Sequence, residues 1–203
     1  MNTLTDKKTF RKLALQKRDS LSAEQRTSAS KEIQKRLISL PAFEKAQVIM
    51  GYMDFKSEVI CTDVLRFALK QGKKIVIPIS LPNTRTLLLS EITDLDRDFE
   101  KDHYGISVPK KEFFREMSPE KPDFVIVPGV AFSKERFRMG YGAGYYDNFL
   151  ERLRPGTPFA ALAFEIQIFD RIPTEPHDKQ MTFVVTEKRI LGSPDSSSSP
   201  KIL

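Results

Sequence analysis

The segment Arg138-Met139-Gly140-Tyr141-Gly142-Ala143-Gly144-Tyr145-Tyr146-Asp147 gathers a guanidinium, a carboxylate and three of the chain's nine glycines at alternate positions. Glycine is costly in regular structure and is kept where the backbone takes positive φ or comes close to another group. The usual group is a phosphate, because successive free N–H groups and a following helix N-terminus form an anion-binding concavity. Arg138 adds positive charge to that concavity, and Asp147 is a carboxylate able to hold a metal counter-ion. The chemistry these residues imply is phosphate or nucleotide binding.

Three known signatures fit poorly. A Walker A loop needs Lys-Ser or Lys-Thr after its last glycine, and here Tyr145 follows Gly144. A dinucleotide fingerprint needs Gly-x-Gly-x-x-Gly close behind the first strand, whereas this run is Gly-x-Gly-x-Gly and lies far along the chain. The RNA-recognition signature is nearer, with a basic residue, Gly140-Tyr141-Gly142 and later aromatics, but it must be a strand with exposed rings. Met139 separates Arg138 from the glycine, and Ala143-Gly144 stands where strand formers belong.

The elements that must position this segment follow from apolar pattern. At 203 residues, 40% hydrophobic and 30% charged, the chain has the balance of one soluble domain. Subtracting 27 acidic from 33 basic residues leaves +6, which suits an anionic ligand. Much of the charge, in Lys7, Lys8, Arg11, Lys12, Lys17 and Arg18, lies on a segment that reads as helix, where a solvated face is the simple explanation. That stretch fits neither a secretory signal nor a membrane span, so a cytoplasmic location is expected. The single Cys61 sits in an apolar pattern and is expected to be a buried, inert thiol.

Leu4, Phe10, Leu13, Leu15 and Leu21 give an imperfect helical rhythm, and Ser22 with Gln25 reads as a capping box opening a second helix that Pro41 stops. Strands are expected at 48–52, 74–78, 87–91, 123–128, 159–164 and 183–186, with helices at 61–71, closed by Gly72, and at 145–153. Apolar strands alternating with amphipathic helices favour a parallel sheet covered on both faces. In such sheets ligands bind beyond the carboxyl ends of strands, and the loop after Pro128 lies at one. A single domain over 1–192 and a disordered Ser/Pro-rich tail over 193–203 are expected.

Taken as a block, Pro128-Gly-Val-Ala-Phe132 followed by Arg138 to Asp147 and Phe149-Leu150 resembles the signature of the 5-formyltetrahydrofolate cyclo-ligase family. Further matching blocks occur in family order: Lys7-Lys-Thr-Phe-Arg11, Tyr52 to Glu58, Ala161-Leu-Ala-Phe164 with Gln167, His177-Asp178 and Val184-Val-Thr-Glu187. The resemblance implies an α/β three-layer sandwich, with a mostly parallel sheet flanked by helices. It also implies conversion of 5-formyltetrahydrofolate to 5,10-methenyltetrahydrofolate with ATP and magnesium. Phosphorylation of the formyl oxygen supplies the leaving group, and ADP and phosphate are released.

By the same resemblance, Lys7, Arg11, Arg138 and the loop Met139, Gly140, Tyr141, Gly142, Ala143, Gly144, Tyr145 and Tyr146 contact ATP, with Arg138 and Tyr145 as catalytic groups. Asp147 and Asp178 become magnesium ligands, against the alternatives of a helix-capping carboxylate and a turn aspartate. Met53, Glu58, Tyr141 and Tyr145 become folate contacts, while core packing is preferred for Tyr146. Lys8 and Lys12 stay on the surface, and His103 and His177 are structural or exposed. The chain departs from the family pattern at Ser133, Arg136, Ala143, Asn148 and Thr182, where Asp, Gly, Gly or Lys, Arg and Asp are frequent. Small-molecule partners alone are expected, with no nucleic acid, membrane or obligatory protein partner.

Overall fold

The computed structural model describes residues 6–101, 105–175 and 178–192. The tail from 193, Leu4, His103 and His177 lie outside the described residues.

Helix α1 (Lys7–Asp19) starts at Asp6, whose carboxylate accepts from the Lys8 and Thr9 amides. Helix α2 (Ala23–Ile38) starts on the expected capping box, with Gln25 N donating to Ser22 Oγ at 3.1 Å and Ser22 N donating to Gln25 Oε1 at 2.8 Å. Pro41 does more than stop that helix. It opens α3 (Pro41–Lys45), because its fixed φ and missing N–H suit a first helical turn. Then come β1 (Val48–Met50), α4 (Thr62–Lys70), closed by Gly72 at φ +76, β2 (Lys74–Leu81) and β3 (Thr86–Ile92). Two small strands, β4 (Phe99–Lys101) and β5 (Ser107–Pro109), pair with each other. After β6 (Glu116–Met117) the chain runs through β7 (Phe124–Val127), β8 (Ala131–Ser133) and β9 (Arg138–Met139) into α5 (Tyr145–Leu150). It finishes with β10 (Phe159–Leu162), β11 (Ile168–Phe169), β12 (Phe183–Val185) and β13 (Ile190–Leu191).

The main sheet has the order β13-β12-β10-β7-β1-β2-β3-β6. Neighbours from β12 to β2 pair in parallel, and antiparallel strands flank them on both sides. Alternation along β7 shows how both faces are used. Phe124 and Ile126 enter one core with Ile33, Leu37, Phe43 and Leu65 from α2, α3 and α4, whereas Val125 and Val127 enter a second with Phe132, Phe149 and Leu150. Burial of a side chain such as Phe124 contributes about 1.5–3 kcal/mol. The sheet is therefore covered on both faces, as the apolar strands require.

A third cluster seats the site. Ala14 of α1 packs with Val130, Ala131, Met139 and Ile172 against the small sheet β11-β8-β9. Gly129 makes the turn off β7, and a Cβ there would lie 2.3 Å from the Phe132 ring. Arg136 closes the β8–β9 turn at φ +70, a conformation costing a side-chain-bearing residue about 1–2 kcal/mol. Its Nε bond to Met181 O, 3.0 Å, helps hold it there.

Candidate active site

Beyond the end of β7, the start of α1, the run 138–147 and the residues Pro173, Glu175 and Asp178 enclose an open cleft of about 410 Å³. The run is not a strand of exposed aromatics. Only Arg138 and Met139 pair as β9, residues 140–144 form a loop, and Tyr145 and Tyr146 begin α5. The geometry required by RNA-recognition chemistry is absent from this segment.

The glycines make room for arginines. A Cβ on Gly140 would lie 2.7 Å from Arg138 Nη1, and one on Gly142 would lie 3.2 Å from the Arg11 guanidinium. Gly142 at φ +103 and Gly144 at φ +75 also need the left-handed region, whereas Ala143 between them does not. Arg11 Nε donates to Gly140 O at 2.9 Å, across 129 residues of sequence. That bond fixes α1 against the loop.

Charges in the cleft are largely spent on one another. Lys7 Nζ lies 2.9 Å from Asp178 Oδ2 and 3.2 Å from Glu175 Oε2. Burial draws the Lys7 ammonium down, but these carboxylates outweigh it and its pKa is raised. Arg138 is 6% exposed. Its Nη2 reaches Asp147 Oδ1 at 2.5 Å, Nη1 donates to Pro128 O at 3.3 Å, and the guanidinium lies 5.6 Å from the Tyr146 ring centre. Its Nε is buried and has no hydrogen-bond partner among the described residues. Burial pushes the Tyr146 phenol up. Among the described residues, Arg11 is the one cation of the cleft lining without a carboxylate partner.

Beside the cleft, Tyr141 reaches across to Glu58. Its hydroxyl donates to Glu58 Oε1 at 2.7 Å and accepts from Arg18 Nη1 at 3.0 Å. The Phe55 amide donates to Glu58 Oε2 at 3.0 Å. Desolvation raises the Glu58 carboxyl above its ordinary value, against the lowering effects of these bonds and of Arg18. Desolvation and then the Glu58 charge push the Tyr141 phenol up.

Of the residues singled out from sequence, Lys7, Arg11, the whole run from Arg138 to Asp147 and Asp178 line this cleft, and Glu58 joins it through Tyr141. Met53 does not line it, and instead packs half-buried against the first core. Tyr146 combines packing against the second core with a place on the wall. Lys8 and Lys12 are exposed and Cys61 is buried, with a thiol pushed up by desolvation.

Arg18 departs from the solvated-face expectation, being 2% exposed. Lys7, Arg11, Ala14 and Arg18 are spaced four, three and four apart, which is one face of a helix, and Ala14 is that face's buried anchor. The spacing was the available signal. Ser80, Pro173 and Glu175 also line the cleft and carry no local motif.

No group of three or more His, Cys, Asp or Glu side chains able to hold a metal occurs among the described residues. Magnesium does not require one, since it commonly uses one or two carboxylates together with waters and substrate phosphates. Asp147 and Asp178, which both line the cleft, fit that donor set, and Glu175 lines it too. Three acidic and three basic side chains line the cleft, so these side chains alone do not neutralise a polyphosphate.

A family model described as the 5-formyltetrahydrofolate cyclo-ligase family matches residues 3–187. A solved structure of Aquifex aeolicus 5,10-methenyltetrahydrofolate synthetase is 31% identical, covers 98% of this chain and 97% of its own, and gives a TM-score of 0.81. The 5-formyltetrahydrofolate cyclo-ligase of Mus musculus is 29% identical over 83% of this chain and 87% of its own. That of Mycoplasma pneumoniae is 26% identical over 90% of this chain and 99% of its own.

Proposed function

This chain belongs to the 5-formyltetrahydrofolate cyclo-ligase family, and from that premise we propose that it closes 5-formyltetrahydrofolate to 5,10-methenyltetrahydrofolate at the expense of ATP. The formyl oxygen is a poor leaving group. It takes the γ-phosphoryl group as ADP departs, the neighbouring folate amine attacks the formyl carbon and releases its proton, and phosphate leaves with that oxygen as the ring closes.

Such a transfer needs positioning and charge stabilisation rather than a protein nucleophile. Arg11, without a carboxylate partner among the described residues, is the first cation for a phosphate, and its planar fork suits paired phosphate oxygens. Lys7 and Arg138 are held by Asp178 and Asp147, and arriving phosphate competes for them. The buried Nε of Arg138, unpartnered among the described residues, leaves that guanidinium with unmet hydrogen-bonding demand behind the cleft lining. The loop amides of 140–144 add donors, and Tyr145 orients the reacting groups. Asp147 and Asp178 would hold magnesium, which when bound neutralises phosphate charge. Glu58 accepts pterin N–H groups, and Tyr141 packs on the folate rings.

The observation that carries this reading is the meeting of Lys7 and Arg11 with the run 138–147 in one cleft. Product formation tests it. The complete mixture of folate, ATP and magnesium should yield methenyl product, while omitting ATP, chelating magnesium or supplying a non-transferable ATP analogue should abolish it. Closure without ATP would overturn phosphoryl activation.

A further inference from the structure

We propose that Arg18 is a positioning residue for the folate half of the site, fixing the direction of the Tyr141–Glu58 hydrogen bond from beneath. A guanidinium this buried must be compensated. Yet among the described residues Arg18 bonds no carboxylate directly. Its partners are three neutral oxygens from three separate segments: Ser57 Oγ at 2.9 Å from Nε, and Tyr141 OH at 3.0 Å and Gly129 O at 3.5 Å from Nη1. The negative charges reach it through hydroxyls, Asp19 by way of Ser57 and Glu58 by way of Tyr141.

Arginine donates and never accepts, so each hydroxyl facing it must turn its own proton away. Ser57 thus gives its proton to Asp19, and Tyr141 gives its proton to Glu58. Glu58 is held with Oε1 on Tyr141 and Oε2 on the Phe55 amide, and its remaining lone pairs keep a fixed direction for a ligand's N–H groups. The same helix face holds Gly140 O through Arg11, so α1 locks two successive residues of the loop, one on each side of the proposed ATP–folate division. A lysine cannot reproduce this, since one ammonium lacks the fork that spans Ser57, Gly129 and Tyr141.

The inference rests on the folate reading of Glu58, and calorimetric titration of 5-formyltetrahydrofolate and of magnesium-ATP separates the two. Arg18→Lys should weaken folate binding about tenfold, the size of one lost charge-assisted hydrogen bond. Its ATP affinity should stay within about twofold, and in a Tyr141→Phe background the same substitution should change folate binding by less than about twofold, because its route is gone. Ser57→Ala, which removes the Nε acceptor with little change in volume, should likewise weaken folate binding and spare ATP, and it serves if Arg18→Lys does not fold. Unchanged folate binding, equal losses for both ligands, or full additivity with Tyr141→Phe would overturn the role of Arg18 while leaving the folate reading intact. A wild-type protein that binds no folate overturns both.

Discussion

Replacing Asp147 by Asn separates two jobs that one carboxylate holds. Its partner Arg138 has a side chain 4% exposed, while the Asp147 side chain is 30% exposed, and the pair closes at 2.5 Å. Breaking a fully buried pair costs about 3–5 kcal/mol. Partial hydration of Asp147 and the acceptor oxygen that Asn retains reduce this to about 1–2 kcal/mol. Loss of a negative charge from the first turn of α5 adds about 0.3–1 kcal/mol. A total of about 2 kcal/mol lowers Tm by about 4–8 °C in a chain of this size. Thermal unfolding followed by circular dichroism, with and without magnesium and ATP, reads both jobs. Wild type should gain Tm from magnesium added to ATP, because a ligand bound only to the folded state stabilises it. The variant should start lower and lose that magnesium increment. A fall in Tm with the increment intact would make Asp147 the counter-ion of Arg138 and nothing more, and an unchanged Tm would refute the energetic reasoning about the pair.

Other perturbations probe other parts of the account. Glu58→Gln should weaken folate binding and leave ATP binding nearly intact in titration calorimetry. Because desolvation raises the Glu58 pKa above 4.5, acidification protonates it earlier than an ordinary glutamate. Folding then gains stability as pH falls through the raised value, while folate affinity falls, and the Gln variant should lack that limb. Gly142→Ala places a Cβ 3.2 Å from the Arg11 guanidinium at φ +103. It should cost about 1–2 kcal/mol in denaturant unfolding and weaken ATP binding by displacing Arg11. Asp98, which does not line the cleft, is a control. Burial raises its carboxyl, but bonds from Arg97, the Thr93 and Asp94 amides and Arg115 outweigh that and set it at about 2. Its stabilisation is complete above the ordinary 3.8 and is lost as pH falls through about 2. Asp98→Ala should therefore lose about 2 kcal/mol at neutral pH, with the gap from wild type narrowing in acid unfolding curves.

The parallel centre of the sheet was legible because buried strands are continuous apolar runs, as in Phe124 to Val127. The Ser22 capping box was legible because both partners lie within one turn. Pro41 reads as a stop from sequence because local pattern does not say whether a proline ends one helix or begins another. Two-residue strands such as β9 and β11 have no periodicity to find, and their pairing comes from distant neighbours. The glycine run points to the cleft, but phosphate binding alone does not account for its glycines. Gly140 and Gly142 leave space for Arg138 and Arg11, a contact between segments far apart in the chain. Arg18 was hidden among exposed cations, because only its spacing from Lys7, Arg11 and Ala14 places it on the buried face. The Glu58–Tyr141 bond, spanning 83 residues, left no local mark.

The central claim is that ATP supplies the leaving group for ring closure. Its most direct measurement is the simultaneous yield of ADP and methenyl product from purified protein, 5-formyltetrahydrofolate, ATP and magnesium, with product followed by its absorbance. The account predicts that the two appear together in equal amounts. Product without ADP, or ADP without product at saturating folate, would contradict it.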